Sequence, residues 1–245
     1  MAQTAEPGQL DASQSLFSVM AAINAAGYDS DLNSPLNSPV RELVRREVAA
    51  RRPAVLKDLR AYFKPIELPP DVVPLEGFRS LLARFYREAD IPELWQKSQP
   101  AFEQMIREYQ KPSIDALMSV NAYLRSVTGT AINSRFQIYV DLLGAPNQVH
   151  TRSYRNDYFV VVTPSAVPQA LEIRHAYLHY LVDPLMIRFA EEMNETKSLI
   201  DYAQGAPALE QFYKDDFLLL STESLIKAIE SRLARETERQ GIVER

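Results

Sequence analysis

Two histidines, His175 and His179, have the residue type and spacing best suited to chemistry in this chain. The 245-residue sequence contains three histidines, and these two are four positions apart in a segment with helical periodicity. At about 100° per residue they lie on one side of a helix, one turn apart. Two imidazoles placed in this way can ligate one metal ion. The alternative interpretation is a pair of structural histidines held by hydrogen bonds.

The first half of the chain, residues 10–130, has apolar side chains at helical spacing throughout. One helix is predicted to stop at Gly27, and another to begin at Pro39 after the N-cap residue Ser38. Pro112 is expected to break a helix and start a new one, because proline lacks the backbone N–H that a helix interior needs. The sequence therefore predicts a helical N-terminal half.

The periodicity changes to two residues after position 135. Apolar and polar residues alternate over Phe136–Leu142, which predicts a half-buried strand. A turn at residues 144–147 predicts that a second strand, Val149–Arg152, pairs antiparallel with the first. A third strand, Tyr158–Val162, is continuously apolar and is expected to be the most buried. Together these segments predict a small antiparallel sheet.

The histidines fall on the helix that follows this sheet. That helix is predicted to run from Pro168 to about Glu192, and two more are predicted around residues 209–213 and 216–235. No linker of distinct composition interrupts this order. We therefore expect residues 1–245 to form a single α+β domain, with a helical part at 10–130 and the sheet and long helices at 131–245.

The histidine helix contains the run His175-Ala176-Tyr177-Leu178-His179-Tyr180-Leu181-Val182-Asp183-Pro184. This run resembles part of the gluzincin zinc metallopeptidases, and it is similar to the H-E-x-x-H-x-F-V-N-P version found in a related bacterial domain family of unknown function. The order of sheet, histidine helix and later acidic helix extends the resemblance over roughly residues 130 to 235. It implies a zincin-like fold and zinc as the cofactor.

In the gluzincins a glutamate on the downstream helix is the third metal ligand, and Glu223 is the best match here. The alternative role for Glu223 is a solvated first-turn acid that favours the helix dipole and pairs with Lys227. Asp183, one turn beyond the second histidine, is the competing acid, either as a ligand or as a group that orients a histidine. Asp215 and Asp216 are expected to be solvated.

Ala176 occupies the position where the family has its catalytic glutamate. That glutamate normally takes a proton from the metal-bound water, and alanine cannot do so. The first interpretation is therefore a metallopeptidase-like domain without peptidase activity, which acts in binding or regulation with a peptide or protein ligand. A second is an active metal-dependent hydrolase whose base is Asp183, Glu172 or a residue of a partner chain. A third is a helical interaction module with structural histidines.

Three residues near the predicted sheet are further candidates for a substrate cleft. His150 follows the turn at 144–147, and it would border a cleft only if its strand forms the edge. Tyr154 and Tyr158 would act there as hydrogen-bond donors. The alternative for both tyrosines is packing, because aromatic residues are common in strands.

The composition limits the other classes of function. The chain is 46% hydrophobic and 24% charged, as expected for a folded globular protein, and its net charge of −5 argues against a nucleic-acid binder. There is no glycine-rich phosphate loop and no cysteine, so thiolate metal sites are excluded. No apolar run is long enough to predict a membrane span.

The cellular compartment is left open by the sequence. Residues 1–15 do not have the pattern of a signal peptide. The two expectations are export to the periplasm or the extracellular space, with a signal peptide removed ahead of this chain, and a cytoplasmic location.

Overall fold

The computed structural model describes residues 9–62, 77–125 and 134–243, with side chains described up to residue 235. The predicted boundary at 130–131 lies outside these ranges. Helices dominate, and a four-stranded sheet completes an α+β fold whose N-terminal half is helical, as predicted. The elements are β1 (Gln9–Ala12), α1 (Gln14–Ala26), α2 (Pro39–Arg51), α3 (Leu56–Tyr62), α4 (Phe78–Glu88), α5 (Ile91–Leu124), β2 (Phe136–Val140), β3 (Val149–Tyr154), β4 (Asp157–Val162), α6 (Ala170–Arg188), α7 (Ala190–Asn194), a 3-10 turn (Lys197–Ile200), α8 (Asp201–Gln204), α9 (Gln211–Asp215) and α10 (Phe217–Val243).

The helix caps in the N-terminal half follow the local sequence. The Ser38 side chain accepts a hydrogen bond from the backbone N–H of Val40, and Pro39 takes the first position of α2, as predicted. Gly27 ends α1 in the left-handed conformation, with φ of 94°, and its N–H donates to the Asn24 carbonyl. Glycine adopts this conformation without steric cost, which makes it a stable end point.

Helix α5 contradicts the prediction of a break at Pro112. It is one continuous helix of 34 residues that contains both Pro100 and Pro112. Each proline removes a backbone hydrogen bond and costs roughly 3 kcal/mol in a helix interior. This cost is offset because α5 buries one side chain per turn along its whole length: Leu94, Ser98, Phe102, Met105, Tyr109, Ser113, Leu117 and Val120.

The sheet is mixed, and the predicted antiparallel pairing of β2 with β3 is wrong. The strand order is β1-β2-β4-β3, with β1 parallel to β2 and β2 parallel to β4. Only β3 is antiparallel to its neighbour, which is β4. The tight turn therefore lies between β3 and β4, where Arg155 has a φ of 55°. The segment at 144–147 is instead part of a longer connection that carries the chain past β4.

Burial explains this strand order. Val160 and Val162 on β4 are fully buried, as are Phe136, Ile138 and Val140 on β2, so these two strands lie at the centre. Strand β3 is exposed over most of its length and forms an edge. The other edge is β1, which the sequence did not predict. The third predicted strand, β4, is central, but the expectation that it is the most buried is wrong, because β2 has three buried residues and β4 has two.

Helix α6, which carries the histidine pair, packs against α5, α10 and the strands β3 and β4. Its start is fixed by Tyr109 of α5, whose hydroxyl lies 2.9 Å from Ser165 Oγ and accepts a hydrogen bond from the Gln169 N–H. The helix ends at Arg188, earlier than the predicted Glu192, and α7 follows. No helix in the described part of the chain combines the length and apolarity that crossing a bilayer would require.

Candidate metal centre

His175 and His179 lie one turn apart on α6 and face α10. Their ring centroids are 4.8 Å apart, and the ring planes are inclined at 79°. The side chains are 24% and 19% exposed, respectively, so both rings are largely buried but still border solvent. The opposite side of α6 at this level is in the hydrophobic core, which fixes the direction in which the imidazoles point.

Glu223 of α10 completes a three-residue cluster. Its carboxylate faces both rings through their Nε2 atoms, with His179 Nε2 to Oε2 at 3.3 Å and His175 Nε2 to Oε1 at 3.8 Å. One ligand atom from each residue lies within 4.8 Å of the others, so the three side chains can hold a metal ion. Glu223 is in the second turn of α10, which begins at Phe217, and is not the first-turn acid of the alternative interpretation.

The other nitrogen of each imidazole contacts a second carboxylate. Glu230 Oε1 lies 3.1 Å from His175 Nδ1, and Asp183 Oδ1 lies 2.9 Å from His179 Nδ1. The hydrogen bond to Asp183 raises the pKa of His179 above its ordinary value, although burial opposes this. The sequence left two roles open for Asp183, metal ligand or group that orients a histidine. Its contact with His179 Nδ1 fits the second role. Contacts of this kind fix the ring orientation and the tautomer of metal-binding histidines.

Lys227 lies beside the acidic side chains of α10. Its Nζ is 3.6 Å from Glu223 Oε1 and 3.0 Å from Glu230 Oε2. Burial works to lower the pKa of Lys227, but the hydrogen bond and charge of Glu230 outweigh it and raise the pKa. The acidic side chains also act on Tyr213. Burial is the main cause that raises its pKa, and the negative charge of Glu223 raises it further.

Sequence reasoning missed Glu230, although a signal for it was present. Glu223, Lys227 and Glu230 are spaced at i, i+4 and i+7, which places them on one face of α10. The pairing of Glu223 with Lys227 was part of the alternative interpretation. The missing step was that His175 needs an acceptor for its second nitrogen, and a residue two turns beyond Glu223 can supply it.

Ala176 is packed in the hydrophobic core. Its side chain is 1% exposed, and its buried neighbours along α6 are Ile173, Tyr177 and Leu178. The sequence had placed position 176 where a family glutamate would face a metal-bound water. A longer side chain here would have to enter the core.

The remaining candidate residues are not in the three-ligand cluster. Glu172 is exposed, and His150 and Tyr154 are exposed on the edge strand β3. Tyr158 is half-buried and stacks on Phe136, and burial raises its pKa, with a further contribution from the charge of Asp183. The two acids at the α9–α10 junction are exposed and hydrogen-bond locally: Asp215 with Gln211 and Asp216 with the Leu219 N–H.

Comparison with protein-family models, curated proteins and solved structures gives no match for this chain.

Proposed function

We propose that this protein binds a divalent metal ion, zinc, through His175, His179 and Glu223. The observation that carries the proposal is that each imidazole lies between two carboxylates. A neutral imidazole has one N–H and can donate to only one of them. If each Nδ1–H donates to its outer carboxylate, then both Nε2 lone pairs face the Glu223 oxygens. These acceptor atoms repel one another, and a cation bound between them would remove the repulsion.

The charge of the cluster also favours a divalent cation. The three carboxylates of Asp183, Glu223 and Glu230 and the single ammonium of Lys227 leave a charge of −2 when both imidazoles are neutral. Two imidazole nitrogens and a carboxylate oxygen form a donor set typical of zinc, without the soft thiolates that copper(I) prefers. In the usual order of affinities this donor set binds manganese(II), iron(II) and cobalt(II) less strongly than copper(II), so copper(II) is the competing metal that the titration should include.

We infer a role in binding or regulation, without peptide hydrolysis. Three protein ligands would leave zinc a fourth position for water or a ligand atom, and zinc bound there would supply Lewis acidity. Peptide hydrolysis also needs a general base, which contributes roughly a hundred- to ten-thousand-fold in rate. Ala176 cannot act as one, and the carboxylates of Asp183 and Glu230 contact the histidines. The relationship to gluzincins is part of this proposal and rests on the residue pattern of α6.

The decisive experiment measures metal binding directly. We expect the purified protein to bind one zinc per chain in a competition titration, and the cobalt(II) form to show the visible absorption of a four- or five-coordinate N/O site. His175→Gln, His179→Gln and Glu223→Gln should each abolish tight binding. His150→Gln is the matched control, because this third histidine is exposed on β3 and outside the cluster.

The proposal fails if His150→Gln weakens zinc binding as much as the α6 variants do, or if the wild-type chain binds no zinc. A peptidase assay with a mixed peptide library and saturating zinc tests the second part. We expect no turnover above that of the His179→Gln variant. Zinc-dependent cleavage would instead favour a hydrolase that uses another base.

A further inference from the structure

A cavity of about 420 Å³, widely open to solvent, lies between α1, α2 and α3 in the helical half of the protein. None of these helices contributes a residue to the metal centre. Ala21, Val44 and Val48 in its lining are buried in the core, and the small side chains of Ala25 and Ala49 leave the space open. The volume is in the range of small-molecule sites, which are typically apolar with a few polar groups at defined places.

The polar lining of this cavity is mainly cationic. Its charged members are Arg45, Arg46, Arg60 and Asp29, which together leave a charge of +2 in a chain whose net charge is −5, and Asn24 is its uncharged polar member. The Asp29 side chain is only 6% exposed, and its Oδ2 lies 3.1 Å from Arg45 Nε, without the alignment of a hydrogen bond. Asp29 therefore neutralises the charge of one arginine, Arg45, and leaves the positive charges of Arg46 and Arg60 uncompensated within the cavity.

The guanidinium groups of Arg46 and Arg60 have few competing partners. Arg46 is 3.6 Å from its sequence neighbour Glu47, a distance beyond hydrogen bonding, and its side chain is mostly exposed. Arg60 is exposed and forms no ion pair with any residue that the structure describes. Guanidinium groups bind carboxylates in a two-pronged geometry, and such charge-assisted bonds are about twice as strong as neutral ones.

We propose that this cavity binds a small organic carboxylate, with its anionic head at Arg46 and Arg60 and a compact apolar body on the alanine and valine floor. A carboxylate with an apolar body would contact both the arginines and the floor, whereas a bare inorganic anion would contact the arginines alone. The excess positive charge disfavours cationic ligands of the same shape. The site is independent of the metal centre.

The test uses three probes of similar shape and different charge: benzoate, benzyl alcohol and benzylammonium. Each is titrated into ¹⁵N-labelled, chelator-treated protein of all 245 residues, and backbone amide shifts are followed. We expect benzoate to bind, with shifts concentrated in α1, α2 and α3, and to bind roughly tenfold or more tightly than the other two. The titration is repeated in His179→Gln, because a carboxylate can also bind a metal. Benzoate affinity should be unchanged in that variant.

Two kinds of variant then test the positive charge and the empty volume of the cavity separately. Arg60→Gln and Arg46→Gln should each weaken benzoate binding by roughly tenfold. Arg107→Gln is the matched control, because Arg107 is a similarly exposed arginine on α5 that is outside the cavity. Ala25→Leu fills the cavity and should abolish binding while leaving the far-ultraviolet circular dichroism unchanged.

Equal affinity for benzoate and benzylammonium would overturn the proposal. So would shifts outside α1–α3, no binding of benzoate by the wild-type protein, or an effect of Arg107→Gln as large as that of Arg60→Gln. If Ala25→Leu does not fold, the wild-type shift map and the arginine variants still decide the question.

Discussion

Replacing Ala176 by glutamate tests whether position 176 belongs to the core or to the metal centre. The Ala176 side chain is on the side of α6 that faces the core and is only 1% exposed. The carboxylate of a glutamate at this position would therefore enter the packed core unless the helix moved. We therefore expect Ala176→Glu to destabilise the protein and to create no peptidase activity. The sequence pattern alone predicts the opposite, since a glutamate would restore the family motif.

The magnitude follows from two separate costs. Forcing a larger side chain into a packed core costs about 1–3 kcal/mol. An ionised carboxylate in the same place adds several kcal/mol unless it takes up a proton. A total of about 4 kcal/mol would lower the melting temperature by roughly 10 °C, because each kcal/mol is worth about 2–4 °C in a domain of this size.

The assay compares Ala176→Glu with Ala176→Gln, which has nearly the same volume and no charge. Burial raises the folded-state pKa of the new carboxyl above its unfolded value of about 4.3. The extra loss of stability is therefore absent below that pH, grows as the pH rises, and is complete above the folded-state pKa. Urea unfolding at pH 4.5 and pH 8 measures the difference. A glutamate variant as stable as the wild type at pH 8, with zinc-dependent peptidase activity, would refute the argument.

Three further predictions concern the outer carboxylates and one buried turn. Glu230→Gln should lower zinc affinity by roughly 10–100-fold in a dye-competition titration, because in the proposed site Glu230 would orient the His175 imidazole that it contacts and would not itself be a ligand. Since Asp183 raises the pKa of His179, zinc must displace a proton below that pKa, and zinc affinity should fall as the pH drops through it. Asp183→Asn should move this fall to lower pH. Gly144→Ala should cost about 1–3 kcal/mol in urea unfolding, because a Cβ would lie 2.7 Å from Asp141 Oδ2.

Each of these has a direct control. Gly205→Ala adds the same methyl group where no atom lies within 4 Å, and it should leave the unfolding free energy nearly unchanged. Equal losses for the two glycine variants would show that the close approach at Gly144 is not the cause. For the zinc titrations, Glu191→Gln changes an exposed acid on α7 and should have no effect. A Glu230→Gln variant that behaves like Glu191→Gln would remove the orienting role of Glu230.

Local signals in the sequence predicted the elements better than their pairing. Capping residues and apolar periodicity depend on neighbours a few positions away, so α2 and the buried strand β4 could be predicted. Strand order depends on which strand buries more surface, and a turn at 144–147 carries no information about that. The continuity of α5 through Pro112 depends on packing along the whole helix, which outweighs a local penalty.

The candidate site shows the same division between local features, which the sequence predicted, and long-range contacts, which it did not. The spacing of His175 and His179 depends on one helix, and the sequence predicted it. Glu223 and Glu230 come from α10, about 50 residues further along the chain, so their approach depends on how α10 packs against α6. Their spacing on one face is visible in the sequence, but the direction of that face is not.

The strongest alternative to a metal is a cluster of ion pairs in which both imidazoles are protonated. Two imidazolium rings 4.8 Å apart would repel each other by roughly 3–4 kcal/mol at an effective dielectric constant of about 20. The surrounding carboxylates offset part of this repulsion. In the proposed site, one divalent cation held by His175, His179 and Glu223 would supply the same two positive charges, and both Nδ1–H groups would stay with their outer carboxylates. The zinc titration should be made at neutral and higher pH, where protons compete least with a metal for the imidazole nitrogens.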